Sequence, residues 1–254
     1  MMINIVSSEF YKIFRSKILY AISIVLLIMN SIACIGSIVV KTSNSFSPEI
    51  KSQMQGTGVS SYQSSFGGDI IFYLIIIFIV CLIASEYSNG SIRQISSHGI
   101  ARWKLVLGQY IAISFIITII LVSFGTINLV ADSILFKFGE INIIEFIRMN
   151  LGIICMIFGV SGIGLFFSYL FKNGGIAIAV SILLVLCNGM MTNLISLLTK
   201  NNIFTHYTLG NMRNTIIDFT SNPLDILICS FVFVSIGIIT VLSSCVLFSK
   251  RDIE

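Results

Sequence analysis

The chain has 254 residues, of which 56% are hydrophobic and only 10% are charged, and its mean hydropathy is +1.00. A soluble domain carries about 25% charged residues and could not bury so much apolar surface, so the composition excludes a soluble fold. The net charge of +4 reflects basic loops beside a membrane rather than affinity for nucleic acid.

Residues 1–17 predict an amphipathic elbow helix on the inner surface of a membrane. Apolar and polar positions recur at helical spacing on opposite faces. The apolar face has Val6, Phe10, Ile13 and Phe14, and the polar face has Ser7, Glu9, Lys12 and Arg15. A basic flank that only sets the topology is the alternative interpretation.

Six apolar blocks of about the length that a bilayer requires predict six transmembrane helices. The predicted spans cover residues 18–40, 70–87, 105–131, 151–171, 176–198 and 226–248, and we treat the chain as a single transmembrane domain. The block at 70–87 is the shortest. We count it because omitting it would place its two flanking loops on the same side of the membrane.

The centres of the predicted spans contain no Asp, Glu, Lys or Arg. Ion- or proton-coupled transporters usually keep such a group at mid-membrane, so the energy for any transport is expected to come from another chain. The strongest polar groups are Asn30, Asn128 and Asn188. They either line a path or join helices.

The distribution of Lys and Arg predicts that both termini are cytoplasmic. With the N-terminus inside, nine basic residues lie on the cytoplasmic side and six on the other, and the inner segments are shorter. The Ser- and Gly-rich outer segment 41–69 predicts a mobile loop that has room for a short hairpin or helix within it.

The inner segment 85–104 is the most informative loop. Gly90 and Gly99 bracket a stretch of about two turns that predicts a short helix across the membrane face, and Trp103 stands where an indole anchors at the interface. Such a helix would be a rigid element between two spans that transmits force to them from a soluble partner. A loop that only sets the topology is the alternative.

The sequence contains no motif for catalysis or nucleotide binding. The phosphate loop Gly-x-x-x-x-Gly-Lys-[Ser/Thr] is absent, and the two histidines and six cysteines form no metal-ligand pattern. The run from Gly159 to Gly162 matches the Gly-x-Ser-Gly of rhomboid proteases, but the last span has no histidine to act as a base. We interpret the run as a helix-packing motif and predict a protein that is not an enzyme and has no cofactor of its own.

The order of these parts resembles the permease subunits of ABC-2-type exporters, in particular the small bacterial permeases of bacteriocin and peptide-antibiotic immunity. Those proteins have an elbow helix, six spans, and a loop after the second span of the form Glu-x-x-x-Gly-[Ser/Thr]-x-[Arg/Lys], followed by [Ser/Ala]-Arg-x-[Lys/x]-x-x-x-Gly-[Lys]. The matching residues here are Glu86, Gly90, Ser91, Arg93, Ala101, Arg102, Lys104 and Gly108. The chain departs from the pattern around His98 and Gly99, where a Pro is common, and at Gln109, where Lys is frequent.

The resemblance implies that residues 85–104 form a coupling helix that docks on a separate cytoplasmic ABC ATPase dimer, which would bind ATP and Mg. Arg93, Arg102 and Lys104 would offer charge to the ATPase, and Glu86 and Gly90 would fix the start of the loop. A second permease chain, identical or paralogous, would complete the pathway. The protein would lie in the bacterial plasma membrane, where membrane lipids would be its remaining partners.

The function expected from this resemblance is export of an antimicrobial peptide or another amphipathic substrate. Export of a lipid, a polysaccharide or sodium is the alternative within the class. A gradient-driven carrier or channel and a membrane scaffold that moves nothing are the alternatives from other classes.

Overall fold

The computed structural model describes residues 2–42, 56–91, 101–199 and 206–250. These ranges contain nine α-helices and no strand. The helices are α1 (Met2–Phe14), α2 (Lys17–Thr42), α3 (Gly58–Gly67), α4 (Ile70–Ser88), α5 (Arg102–Leu135), α6 (Ile143–Phe171), α7 (Gly174–Thr199), α8 (Leu209–Ile217) and α9 (Pro223–Lys250). The predicted all-α class is confirmed.

Six of these helices, α2, α4, α5, α6, α7 and α9, are long and apolar enough to cross a membrane. Each contains one of the predicted blocks, so the prediction of six spans is confirmed. An even number of spans brings α1 and the end of α9 to the same end of the bundle. We call this end the terminal face and the opposite end the loop face.

The buried centre of the bundle consists of α4, α5 and α6. More than half of the most apolar stretch of each of these three helices is buried, whereas only 17% is buried in α2 and in α7. The centre of α4 is apolar on all sides, with Ile71, Ile75 and Ile79 almost inaccessible. A helix without a polar face is typical of a buried position, which explains why the shortest span is central.

Helices α6 and α9 pack closely because glycines lie at their contact. A methyl group at Gly159 would lie 2.5 Å from the carbonyl oxygen of Phe233, and one at Gly162 would lie 3.0 Å from Cα of Gly237. Small residues allow such an approach between helix backbones in a membrane. The run from Gly159 to Gly162 therefore packs helices, as the sequence indicated.

The loop face is covered by the short helices α3 and α8. The backbone N–H of Gly58 donates to the carbonyl of Lys137 at 2.9 Å, and the side-chain amide of Gln63 donates to the carbonyl of Ile217 at 2.8 Å. Helix α3 is a short helix of the kind that the sequence allowed within the outer segment 41–69, of which residues 43–55 lie outside the described residues. Thr57 starts α3 with a capping box, a local signal present in the sequence.

Candidate functional site

Helix α1 lies across the terminal face against the first turns of α5. A methyl group at Gly108 would lie 2.7 Å from Cγ2 of Ile5, so a glycine is needed at this position for the close approach of the two helices. Ile5 and Ile13 are buried, and the rings of Phe10 and Phe115 meet edge to face with centroids 5.8 Å apart. Gly108 of the recognised loop pattern thus has a packing role.

One residue of the predicted polar face of α1 is buried. Only 2% of Glu9 is exposed, although helical spacing places it on the same face as Lys12. Glu9 can be buried because the ammonium of Lys12 lies 2.6 Å from its carboxylate oxygen. A buried carboxylate requires such a partner, and helical periodicity alone does not reveal it.

Five polar residues join four helices at this face. Nζ of Lys12 lies 3.2 Å from Oε1 of Glu86, and the other carboxylate oxygen of Glu86 accepts a hydrogen bond from the Gln109 amide. The Tyr169 hydroxyl donates to the amide oxygen of Gln109. We call Glu9, Lys12, Glu86, Gln109 and Tyr169 the terminal-face cluster. It connects α1, α4, α5 and α6 through hydrogen bonds, several of them charge-assisted.

Lys12 supplies the positive charge of the cluster. Burial lowers its pKa, but the adjacent carboxylates of Glu86 and Glu9 outweigh this effect and raise the pKa above its ordinary value of 10.5. The lysine therefore carries its charge at neutral pH. The ammonium of Lys12 holds α1 and α4 together because it lies between the carboxylates of Glu9 and Glu86. The Gln109 amide donates to the other oxygen of Glu86.

Helix α9 joins the same face through aromatic contacts and Arg102. The ring of Tyr169 lies 5.0 Å from that of Phe248 and 5.9 Å from that of Tyr87, measured between centroids. The Arg102 guanidinium donates to the carbonyls of Phe248 and Ser249 at 3.3 and 3.4 Å. A cation is favoured at a helix C-terminus, so Arg102 stabilises the end of α9. The ATPase-facing role that the resemblance implied for Arg102 stays a prediction.

The first half of the loop pattern corresponds to a helix C-terminus. Gly90 follows α4 with φ of +68°, a conformation that favours glycine, and the Ser91 hydroxyl donates to the carbonyl of Glu86 at 3.1 Å. In the second half, the ammonium of Lys104 lies 5.4 Å from the ring centroid of Trp103. The other predicted coupling residues, Arg93 and Gly99, and the predicted short helix lie outside the described residues.

Sequence reasoning missed Gln109 and Tyr169 as members of the site. Gln109 was noted only as a departure from a common lysine, although it is 1% exposed and bonded to Glu86. A glutamine near the start of an apolar span needs a hydrogen-bond partner, and this was the available signal. A lysine at this position would face the same Glu86 carboxylate, so the family pattern and this chain both place a donor there.

The three asparagines of the spans have different surroundings. The Asn128 amide donates to Oγ of Ser65 at 2.9 Å, and Oδ1 of Asn188 accepts from the backbone N–H of Leu209 at 2.9 Å. Asn128 therefore joins α5 to α3, and Asn188 joins α7 to the start of α8. Asn30 is 4% exposed, and its Oδ1 has no hydrogen-bond partner among the described residues.

The fold and the terminal-face cluster define a multi-pass membrane protein whose N-terminal helix α1 is bonded to the end of its second span. Residues 5–188 match the family model described as ABC-2 family transporter protein, and since this is more than half of the chain, the protein belongs to that family. It is therefore a membrane permease of an ABC transporter, a transport subunit rather than an enzyme. Comparison with curated proteins gave no match.

Membership of this family confirms the predicted ABC-2 permease and the predicted location in a membrane. The match supports the permease family as a whole and does not extend to the bacteriocin-immunity subtype. The direction of transport, the substrate and the partner chains are treated below as proposals.

Proposed function

We propose that this permease is the membrane-spanning subunit of an exporter that a separate cytoplasmic ABC ATPase dimer powers with ATP and Mg. Both termini, and with them the terminal face, would lie in the cytoplasm. The observation that carries the proposal is the bonding of Lys12 and Gln109 to Glu86, the last charged side chain of α4. Glu86 lies at the start of the segment that would dock on the ATPase.

The terminal-face cluster supports a mechanical role for this segment. A displacement of residues 85–104 by the ATPase would act first on Glu86. Through Lys12 it would reach α1, and through Gln109 and Tyr169 it would reach α5 and α6. Coupling between distant parts of a protein is carried by hydrogen-bond and salt-bridge networks between rigid elements of this kind.

A second permease chain, identical or paralogous, would complete the pathway. Helices α2 and α7 leave the largest share of their apolar surface uncovered, since only 17% of each is buried. In a membrane this surface is available to lipids and to another permease chain. The substrate would be an antimicrobial peptide or another amphipathic molecule, because the span centres offer apolar surface and no charged group.

The first experiment is co-purification from native membranes in mild detergent. Wild-type permease should retain an ABC ATPase, and Arg93→Glu should release it if residues 85–104 dock on that partner. Glu86→Gln should retain the ATPase but weaken the response of ATP hydrolysis to substrate, because the connection to α1 and α5 is lost. Lys250→Met removes one charge from the terminal face outside the cluster and should behave like wild type.

Two results would refute this proposal. If no ATPase co-purifies under several mild conditions, the exporter function fails, and a carrier that depends on an ion gradient or a scaffold takes its place. If the ATPase remains bound to Arg93→Glu and Glu86→Gln changes nothing, an ATPase partner stands but the coupling site lies elsewhere.

A further inference from the structure

A groove runs along the contact between α2 and α5 towards the loop face. Its inner part, of about 240 Å³, is lined mainly by aliphatic side chains together with Asn30. Its outer part, of about 600 Å³, is lined by residues of α2, α3 and α5. Phe124 lines both parts, so they adjoin one another. We call both parts together the α2–α5 groove.

The inner part contains a hydrogen-bond acceptor without a donor. Asn30 lines this part, it is 4% exposed, and its Oδ1 has no partner among the described residues. An unsatisfied buried amide oxygen costs free energy, and in native structures it is unusual without a reason. A ligand that brings an N–H or O–H group to this depth would satisfy it.

The outer part is polar and carries one acidic group. Ser60, Ser61, Ser64 and Ser65 of α3 line it together with Asp132, which is the only charged residue among the described residues that line this part. The Ser61 hydroxyl donates to the Asp132 carboxylate, and no ion pair is formed by Asp132 within the described ranges. A carboxylate among hydroxyl groups favours a cation with several N–H donors, such as a primary ammonium.

From these two parts we infer that the α2–α5 groove binds an amphipathic molecule with an ammonium head at Asp132, an apolar body, and an N–H donor that reaches Asn30. Phe124 and Asp132 are eight positions apart on α5, which corresponds to roughly 12 Å along the helix. The ammonium head at Asp132 and the part of the ligand that enters the inner part beside Phe124 should be separated by about this distance. That the molecule is exported cargo rests on the proposed function, whereas its binding to the isolated permease does not.

The probe is a synthetic acyl diamine that has about eight methylenes between its ammonium and its amide nitrogen, to match the roughly 12 Å between the two positions. A nitroxide at the end of its acyl chain reports motional restriction by electron paramagnetic resonance. One matched probe has a carboxylate in place of the ammonium, and a second has an ester in place of the amide. The full-length permease is reconstituted in phosphatidylcholine vesicles, which carry no net charge.

We expect the ammonium–amide probe to show a restricted fraction about threefold larger than that of either matched probe. Asp132→Asn should abolish the preference for ammonium over carboxylate, and Asn30→Leu should abolish the preference for amide over ester. Asp218→Asn removes an exposed acid of the loop face outside the groove and should leave both preferences intact. Ala33→Phe, which narrows the outer part without changing charge, should lower the restricted fraction of the ammonium–amide probe.

The inference is overturned if wild type shows neither preference, or if Asp218→Asn has the same effect as Asp132→Asn. It is also overturned if Asn30→Leu turns a dimer into a monomer and leaves the probes unaffected, because Asn30 would then belong to an interface between copies. If the probe does not bind but the ATPase co-purifies, only the inference about the α2–α5 groove is refuted. If the probe binds but no ATPase co-purifies, only the export function is refuted.

Discussion

The ammonium of Lys12 lies 3.2 Å from a carboxylate oxygen of Glu86, although 74 positions of sequence separate the two residues. The same ammonium is 2.6 Å from Glu9 on its own helix. This arrangement fixes α1 to the end of the second span at the start of the proposed coupling segment.

Lys12→Met should lower the stability of the permease, because it leaves the carboxylates of Glu9 and Glu86 without their cation. Removal of one partner from a fully buried pair costs about 3–5 kcal/mol. Since 35% of the Lys12 side chain is exposed, solvent screening reduces the expected loss to about 1–3 kcal/mol. The measurement is thermal unfolding in detergent. A variant as stable as wild type would show that the pair contributes nothing.

The same pair predicts a dependence on alkaline pH. The folded-state pKa of Lys12 is raised above 10.5, because the attraction of Glu86 and Glu9 outweighs the burial that lowers it. The contribution of Lys12 to stability should be complete below about pH 10 and disappear as the pH rises through the folded-state pKa. The unfolding temperatures of wild type and Lys12→Met should therefore converge once the pH exceeds the folded-state pKa of Lys12. A constant difference would contradict the prediction.

Gln109→Leu should destabilise the protein by about 1–3 kcal/mol, because Glu86 loses a buried donor. Gln109→Lys should cost less, since an ammonium can still donate to Glu86 but cannot accept from the Tyr169 hydroxyl. Tyr169→Phe should accordingly cost less in the Gln109→Lys background than in wild type. A double-mutant cycle of unfolding free energies measures this difference, and strictly additive effects would argue against the bond between residues 109 and 169.

Gly108→Ala should loosen α1, because the added methyl group would meet Cγ2 of Ile5 at 2.7 Å. Overpacking of this kind typically costs about 1–3 kcal/mol. Ile5→Ala removes the obstructing atom, so the double variant should be more stable than the sum of the two single effects predicts. Gly189→Ala is the matched control, because nothing lies within 4 Å of a methyl group there. Labelling of a cysteine introduced at the exposed Ser7 of α1 would report the release of this helix from the terminal face.

The asparagines of the spans should respond to replacement in opposite directions. Asn188→Leu removes the acceptor of the Leu209 N–H and should destabilise by about 1 kcal/mol, whereas Asn30→Leu removes an oxygen without a partner and should stabilise by about 1 kcal/mol. Unfolding of both variants in the same detergent tests the contrast. A loss of stability in Asn30→Leu would mean that Asn30 has a structural partner.

The amino-acid sequence by itself determined the class, the six spans and the family of this protein. A hydrophobic block of bilayer length leaves few alternatives to a spanning helix, because every backbone polar group must be satisfied within the membrane. The Glu86, Gly90 and Ser91 pattern could also be recognised directly, since a helix C-terminus depends on residues close in sequence.

Only the tertiary structure decided which polar groups meet. Helical periodicity places Glu9 and Lys12 on one polar face of α1, but only the fold shows that Glu9 is buried there. Gln109 and Tyr169 lie sixty positions apart and meet because α5 and α6 pack side by side. Asn30, Asn128 and Asn188 look alike in the sequence, yet two of them join helices and one faces a groove. Local pattern records which face of a helix is apolar, whereas the partner of a buried polar atom depends on long-range packing.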